Sequence, residues 1–385
     1  MTQWPFPPAA YIQTGEDLRR LAAALSNEPL LAVDTESNSL HAYQERVCLV
    51  QLSTRDADYL VDPLAITDMQ PLGDLLANPA IEKVFHAAEY DLICLKRDFG
   101  FSARNIFDTM AAARILGHKA VGLGSLLSLY LGIEQDKSHQ RDDWGKRPLS
   151  QASLLYAQMD THYLPVVRDR LLAELEATGR LHEARESFAD FEHVPLVENH
   201  RFDPEGYWRI GLPQSLNLRQ MAILRELYLL RERYARERDC PPFKIFSDAA
   251  LIAMAEAAPT TLSELASLDS VSQSQARRYG RALLRAIQRG KNRRVTRPPN
   301  GHTPVDPAVV ERYTALRDWR KARAEQRGVD SDVIISKDAL WTLAHKAPTR
   351  LEDMSDIRGL GPWRLSAYGE EILEVIRRFK NGHLR

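Results

Sequence analysis

Hydrophobic residues fall into two regimes along this chain, and the change comes near residue 206. In the first regime, short apolar runs alternate with amphipathic segments. Leu30-Leu31-Ala32-Val33 reads as a buried strand ending at Asp34. Val47 to Ser53 reads as a second strand, Asp58 to Asp62 as a third stopped by Pro63, and Lys83 to His86 as a fourth. Helical spacing predicts helices over Gly15 to Leu25, Leu72 to Leu76, Glu89 to Phe99 (closed by Gly100), Gly124 to Leu131 and Ser150 to Leu175. Asn105 to Leu116 is expected to start extended and turn helical. Three strands in a row, then alternating strands and helices, imply an α/β domain with a mixed sheet and flanking helices.

In the second regime strand patterns give way to helices. Arg225 to Arg238 reads as a strongly charged helix with an apolar stripe at Leu224, Leu227 and Leu230. An ungapped internal repeat follows at a shift of 89 residues. Leu251 meets Leu340, Pro259-Thr260 meets Pro348-Thr349, Leu262 meets Leu351, Leu268 meets Ile357, and Tyr279-Gly280 meets Tyr368-Gly369. Each copy, at about 80 residues, suffices for a small helical domain. Arg289 to Pro307, rich in basic residues, Gly and Pro, reads as a flexible linker. The chain thus divides into residues 1–205, 206–295 and 296–385.

Composition narrows the class. A chain of 385 residues with 44% hydrophobic and 27% charged residues is that of a soluble multidomain protein, and no apolar run approaches a membrane span. The N-terminal MTQWPFPPAAYIQ lacks the basic and apolar regions of a signal peptide. Three scattered cysteines, Cys48, Cys94 and Cys240, offer no zinc or disulfide pattern and suit a reducing cytoplasm. The net charge of −1 hides a split. Residues 1–205 carry 19 Lys+Arg against 31 Asp+Glu, and residues 206–385 carry 32 against 21. An acidic half joined to a basic half sets a region able to gather cations against one able to meet a polyanion, with ordinary drift of composition as the alternative.

Candidate chemistry begins where the first strand ends. Asp34 and Glu36 stand at i and i+2, so a strand projects both from one face. Burying two repelling acids costs free energy unless a cation sits between them. Further acids arrive in the segments HAAEYD (His86 to Asp91) and YAQMD (Tyr156 to Asp160), where a helix puts Tyr156 and Asp160 on one face. Asp34, Glu36, Asp91 and Asp160 would form an oxygen-only donor set, which suits Mg²⁺ or Mn²⁺ rather than zinc. For this reason the nearby His139 and His162 are left out of the metal set.

The motifs DTE, HxxEYD and YxxxD, in that order, resemble those of the DEDDy branch of the DEDD (DnaQ-like) 3′→5′ exonucleases. The likeness to the ribonuclease D family extends through Asp136-Lys137-Ser138, Arg141-Asp142-Asp143-Trp144 and Arg147-Pro148-Leu149-Ser150-Gln151. Both C-terminal copies resemble the HRDC domain, which that family carries in tandem. The resemblance implies a ribonuclease H-like exonuclease domain followed by two all-α HRDC domains. It further implies a cytoplasmic exoribonuclease, monomeric and without membrane, that trims the 3′ trailer of precursor tRNA and releases 5′-mononucleotides by a two-metal mechanism. The expected catalytic set is Asp34, Glu36, Asp91, Tyr156 and Asp160, with the four acids holding two divalent ions and Tyr156 orienting water. A DNA exonuclease, or a nucleic-acid-binding module with an inactive nuclease domain, stays open as an alternative on residues alone.

Substrate contacts are expected from Leu40, Gln51, His86, Lys137, Arg141, Trp144 and Arg147. The three cations would hold phosphates, and Trp144 would stack on a base or anchor its loop. His86 could instead be a packed core residue, and Asp108 reads as a helix N-cap. In the second copy, Ile357 to Arg364 (IRGLGPWR) resembles a helix-hairpin-helix turn whose glycines let backbone N–H groups approach a phosphate. The first copy has Asp269-Ser270-Val271-Ser272 there and lacks both glycines, and the alternative is that both turns simply join packed helices.

Overall fold

Among the described residues six strands build one mixed sheet: β1 (Ala10–Ile12), β2 (Leu30–Ser37), β3 (Val47–Ser53), β4 (Asp58–Val61), β5 (Glu82–Phe85) and β6 (Ile106–Asp108), in the order β1-β4-β3-β2-β5-β6. The computed structural model describes residues 6–197, 202–211, 216–295 and 306–380; most of the basic linker lies outside them. β3 and β4 pair antiparallel, while β1–β4, β2–β5 and β5–β6 pair parallel. The edge strand β1 is an addition to the expected set. At three residues it is too short to display a period.

Alternation along β2 decides what the sheet faces. Leu31 and Val33 enter one core with Leu18, Leu72 and Leu92, while Leu30 and Ala32 enter another with Val84, Phe107 and Leu171. Both faces are covered, which is why the run shows no polar positions. Asp34 and Glu36 continue the Leu30–Ala32 face beyond the covered part. The segment expected to be helical from Ser150 to Leu175 forms two helices, Gln151–His162 and Leu164–Ala177, divided at Tyr163 just before Pro165. Ser150 caps the first by accepting from the Ser153 N–H at 3.0 Å.

The repeat is structural. Arg231 donates to the Phe246 carbonyl at 3.1 Å, and Arg320, 89 residues on, donates to Ile335 at 3.0 Å. Ala258 and Ala347 both end their helices in the left-handed region, with φ of 46° and 45°. Gly280 and Gly369 make room for Leu262 and Leu351, which a Cβ would strike.

The described residues form two compact units that do not follow chain order. One combines Met1–Glu36, Val47–Val197 and Pro304–Arg385, and the other Ser37–Arg46 and Glu198–Thr303. In the second unit the Tyr43 hydroxyl bonds Glu232, with Arg236 over its ring at 5.5 Å. In the first unit the second repeat copy packs on the helix Leu181–Phe191, an element the sequence pattern did not reveal. Glu183, with no exposed surface, takes both Arg327 nitrogens at 2.6 and 2.7 Å. Glu186 accepts from the Trp363 N–H (2.6 Å), the Arg364 N–H (3.3 Å) and the Arg364 guanidinium (3.0 Å).

This corrects the expectation for the glycine turn. Its anion position is filled by the chain's own Glu186, and a Cβ on Gly361 would overlap that carboxylate. Arg358 of the same turn donates to the His193 carbonyl at 3.1 Å. Glu183→Ala would leave the largely buried Arg327 without its countercharge. Urea unfolding is expected to show a loss of about 3 kcal/mol, the scale for breaking a buried pair on one side; a loss below about 0.5 kcal/mol would contradict this docking.

Candidate active site

Three elements bring the acids together. β2 carries Asp34 and Glu36, the helix Glu89–Phe99 carries Asp91 in its first turn, and the helix Gln151–His162 carries Tyr156 and Asp160. Carboxylate oxygens of Asp34, Glu36 and Asp160 lie within 4.8 Å of one another. Asp91 joins through Thr35, whose hydroxyl donates to Asp91 Oδ1 at 2.5 Å. Asp91 and Asp160 are buried; Asp34 and Glu36 are half-buried and reachable from outside.

The turn before Asp91 is held under backbone strain. Ala87 sits at φ 64°, a region that costs a residue with a Cβ about 1 kcal/mol or more. The buried Asp108 carboxylate holds it there by accepting from the Ala88 N–H at 2.6 Å. With its other oxygen it caps the helix Thr109–Leu116 through the Ala111 N–H, also at 2.6 Å. The cap reading of Asp108 therefore holds, and the same side chain also sets the approach of Asp91.

The electrostatics are those of crowded like charges. Burial, then Asp91, Asp160 and Glu36, push the Asp34 carboxyl well above the usual range. Burial and the Asp160 and Asp91 charges do the same to Glu36. Asp91 is pushed up to about 7 by burial, against the stabilising hydrogen bond from Thr35. Asp160 is pushed up to about 7 by burial, although Gln135 and Tyr156 donate to it. Burial and the surrounding acids also raise the Tyr156 phenol, so it stays protonated. An oxygen-only donor set whose members repel one another suits a hard divalent cation, which would supply the missing positive charge.

Three contributors escaped the sequence reading. Thr35 lies inside the DTE motif. Gln135 donates to Asp160 Oδ1 at 2.5 Å, and Asp142 adds its charge near Glu36 while accepting from Ser153 at 2.7 Å and sharing a contact with His139 at 2.9 Å. Gln135 and Lys137 also line a groove of about 610 Å³ with Lys119, Ser125 and Ser128.

The expected substrate contacts divide. His86 pairs with Thr109 at 2.9 Å, and burial plus Lys137 push it down to about 4, so it is neutral at physiological pH. Lys137 and Arg141 are exposed. Gln51 is buried on β3, and among the described residues neither of its side-chain polar atoms has a hydrogen-bond partner. Leu40 is exposed and belongs to the second unit. The phosphate contact expected of Arg147 is corrected, and of the two uses open to Trp144 the structure favours the loop anchor. Arg147 commits its guanidinium to Asp62 (2.6 and 2.8 Å) and to the carbonyls of Cys48, Trp144 and Lys146. Trp144 is 1% exposed, packed with Tyr156, Cys48 and Leu60, and has no face left for a base. Both serve to fix the loop rather than to meet substrate.

Known proteins share this arrangement of domains. A family profile described as 3′-5′ exonuclease matches residues 9–176, and an HRDC domain profile matches residues 220–287 and 310–376. The chain is 34% identical over 379 residues to Ribonuclease D of Gluconacetobacter diazotrophicus, covering 96% of this chain and 93% of that protein. It is 32% identical over 388 residues to Ribonuclease D of Granulibacter bethesdensis, covering 98% and 94%. Among solved structures, Escherichia coli RNase D, described as an exoribonuclease involved in structured RNA processing, matches with a TM-score of 0.65 and 28% identity. That match covers 97% of this chain and 99% of the other.

Fold and site together define a 3′→5′ exonuclease with a ribonuclease H-like sheet and two HRDC repeats. The chain belongs to the ribonuclease D family and is an exoribonuclease. No helix among the described residues is long and apolar enough to cross a membrane.

The raised carboxyl groups make stability depend on pH and on metal together. The folded state holds protons that the unfolded chain releases near pH 4, so cation-free stability should fall as pH rises from about 4 through about 7. A divalent cation replaces those protons, so about 5 mM Mg²⁺ should raise the melting temperature more at pH 8 than at pH 5. Equal shifts at both pH values in a thermal scan would contradict the assignment.

Proposed function

We propose that this chain hydrolyses RNA from a free 3′ end, releasing one 5′-mononucleotide per step, and that its substrates include precursor tRNA with a 3′ trailer. Two divalent cations, Mg²⁺ or Mn²⁺, would be held by Asp34, Glu36, Asp91 and Asp160, and would supply a polarised water and charge stabilisation for the leaving oxygen. In the reaction, water oxygen forms a bond to the terminal phosphorus and the bond to the 3′-oxygen of the preceding nucleotide breaks. That oxygen takes a proton, leaving a new 3′-hydroxyl end.

The side chains divide this labour. Asp34, whose carboxyl feels the charges of all three other acids, would hold the cations together with Glu36, Asp91 and Asp160. Thr35 and Gln135 hold Asp91 and Asp160 in place by donating to them. Tyr156 keeps its proton, donates to Asp160, and orients the attacking water rather than deprotonating it. The protein works as a monomer in the cytoplasm. The observation that carries this reading is the convergence of Asp34, Glu36 and Asp160 oxygens within 4.8 Å of one another, at the end of the strand.

Incubating 3′-extended tRNA with and without divalent metal, with products resolved to single nucleotides, is the direct test. A metal-dependent ladder shortening from the 3′ end supports the reading, and internal cleavage or metal-independent loss overturns it. Matched RNA and DNA oligomers separate the exoribonuclease from a DNA exonuclease. Asp34→Asn should lower the rate by about 10³-fold, about 4 kcal/mol of barrier, with RNA affinity retained. Tyr156→Phe should lower kcat by about 10²-fold with little change in affinity. Full activity in either variant, measured by single-turnover hydrolysis, would contradict the roles assigned.

A further inference from the structure

The two HRDC copies share a fold but not a surface. The 89-residue shift sets the helix Gln273–Lys291 of the first copy against Pro362–Lys380 of the second. On the first, Arg277, Arg281 and Arg285 recur every four residues, all exposed, about 6 Å apart along the axis. The opposite face of that helix buries Tyr279, Leu283 and Ile287 in the domain core. Among the described residues none of the three arginines has an ion-pair partner, whereas the neighbouring Arg289 is tied to Glu226 at 2.9 Å. Like charges at this spacing destabilise a helix, so folding gains nothing from the stripe.

The second copy carries Ser366, Glu370 and Glu374 at the corresponding positions, all exposed. Overall charge follows the same division. Residues 206–295 hold 16 Lys+Arg against 8 Asp+Glu, and residues 296–385 hold 16 against 13. The helix N-termini differ too. The first copy caps itself through Ser272 and Gln275, while the second has Gly361 at the equivalent place and borrows Glu186.

We propose that the two copies do different work. The first grips the phosphodiester backbone through Arg277, Arg281 and Arg285, and the second is a docking module whose anion turn is occupied by the nuclease domain. The partner of the stripe is the polyanionic backbone of RNA, read by charge and not by base, and this rests on the RNA substrate proposed above. The second copy contributes no phosphate contact through residues 358–364.

The test is binding of the full-length R277A/R281A/R285A variant to 3′-extended tRNA over a range of salt concentrations. Alanine favours the helix, so the variant should fold, and circular dichroism checks that it does. The slope of log affinity against log salt should become shallower by about 2 to 3, one counterion equivalent per lost contact. Affinity at about 0.1 M salt should fall at least tenfold, and KM should rise with kcat kept. Metal-dependent hydrolysis of a trinucleotide should keep its rate. Arg358→Ala in the second copy should leave the slope unchanged. An unchanged slope in the triple variant, or a slope reduced by about 1 in Arg358→Ala, overturns the proposal. If the unaltered protein fails to degrade the trinucleotide, the catalytic reading fails instead, while the salt slopes still decide the stripe.

Discussion

Carboxyl groups crowded into one corner of a sheet repel one another, and the rest of this molecule has to hold them there. Asp34 and Glu36 stand on the same side of β2 because a strand alternates, while Asp91 and Asp160 arrive from helices on separate segments. None of the four relieves its neighbours. Burial raises every one of them, charges within the set add to it at Asp34, Glu36 and Asp160, and the donors nearby, Thr35, Gln135 and Tyr156, are neutral. A fold that gives up stability in this way has a site whose stable partner is a dense positive charge.

That strain is met by rigid surroundings. β2 is buried on both faces, so the strand cannot slip without exposing one core or the other. Asp108 holds the left-handed Ala87 and with it the approach of Asp91. The helix Leu181–Phe191 packs against β6, which ends in Asp108, and on its other side receives the second HRDC copy through Glu183 and Glu186. The docked copy thus belongs to the same body as the acids. Its resemblance to a phosphate-binding turn reflects a shared physical solution, since a carboxylate and a phosphate both suit backbone N–H groups at a helix start.

Much of the site was legible because it lies in contiguous motifs on regular elements. The i, i+2 acids of β2 and the i, i+4 pair of Tyr156 and Asp160 follow from strand and helix geometry alone. What escaped depended on tertiary contact. Gln135 sits in an irregular segment and reaches Asp160 across 25 positions of chain, and no local pattern announces that. Arg147 and Trp144 look like substrate contacts by residue type, yet Asp62 and the Tyr156 cluster claim them. Glu183 and Glu186 lie on a helix whose buried positions include a charge, so its apolar period is broken where the docking partner binds. The glycine turn was visible, but its occupant came from 177 residues away.

The claim beneath all of this is that the acids form a cage for hard cations. Anomalous diffraction from crystals soaked in Mn²⁺ reads it without reference to turnover. The account predicts manganese peaks bounded by the carboxylates of Asp34, Glu36, Asp91 and Asp160. Well-diffracting soaked crystals with no peak among these four groups, or with manganese held only elsewhere, would contradict it.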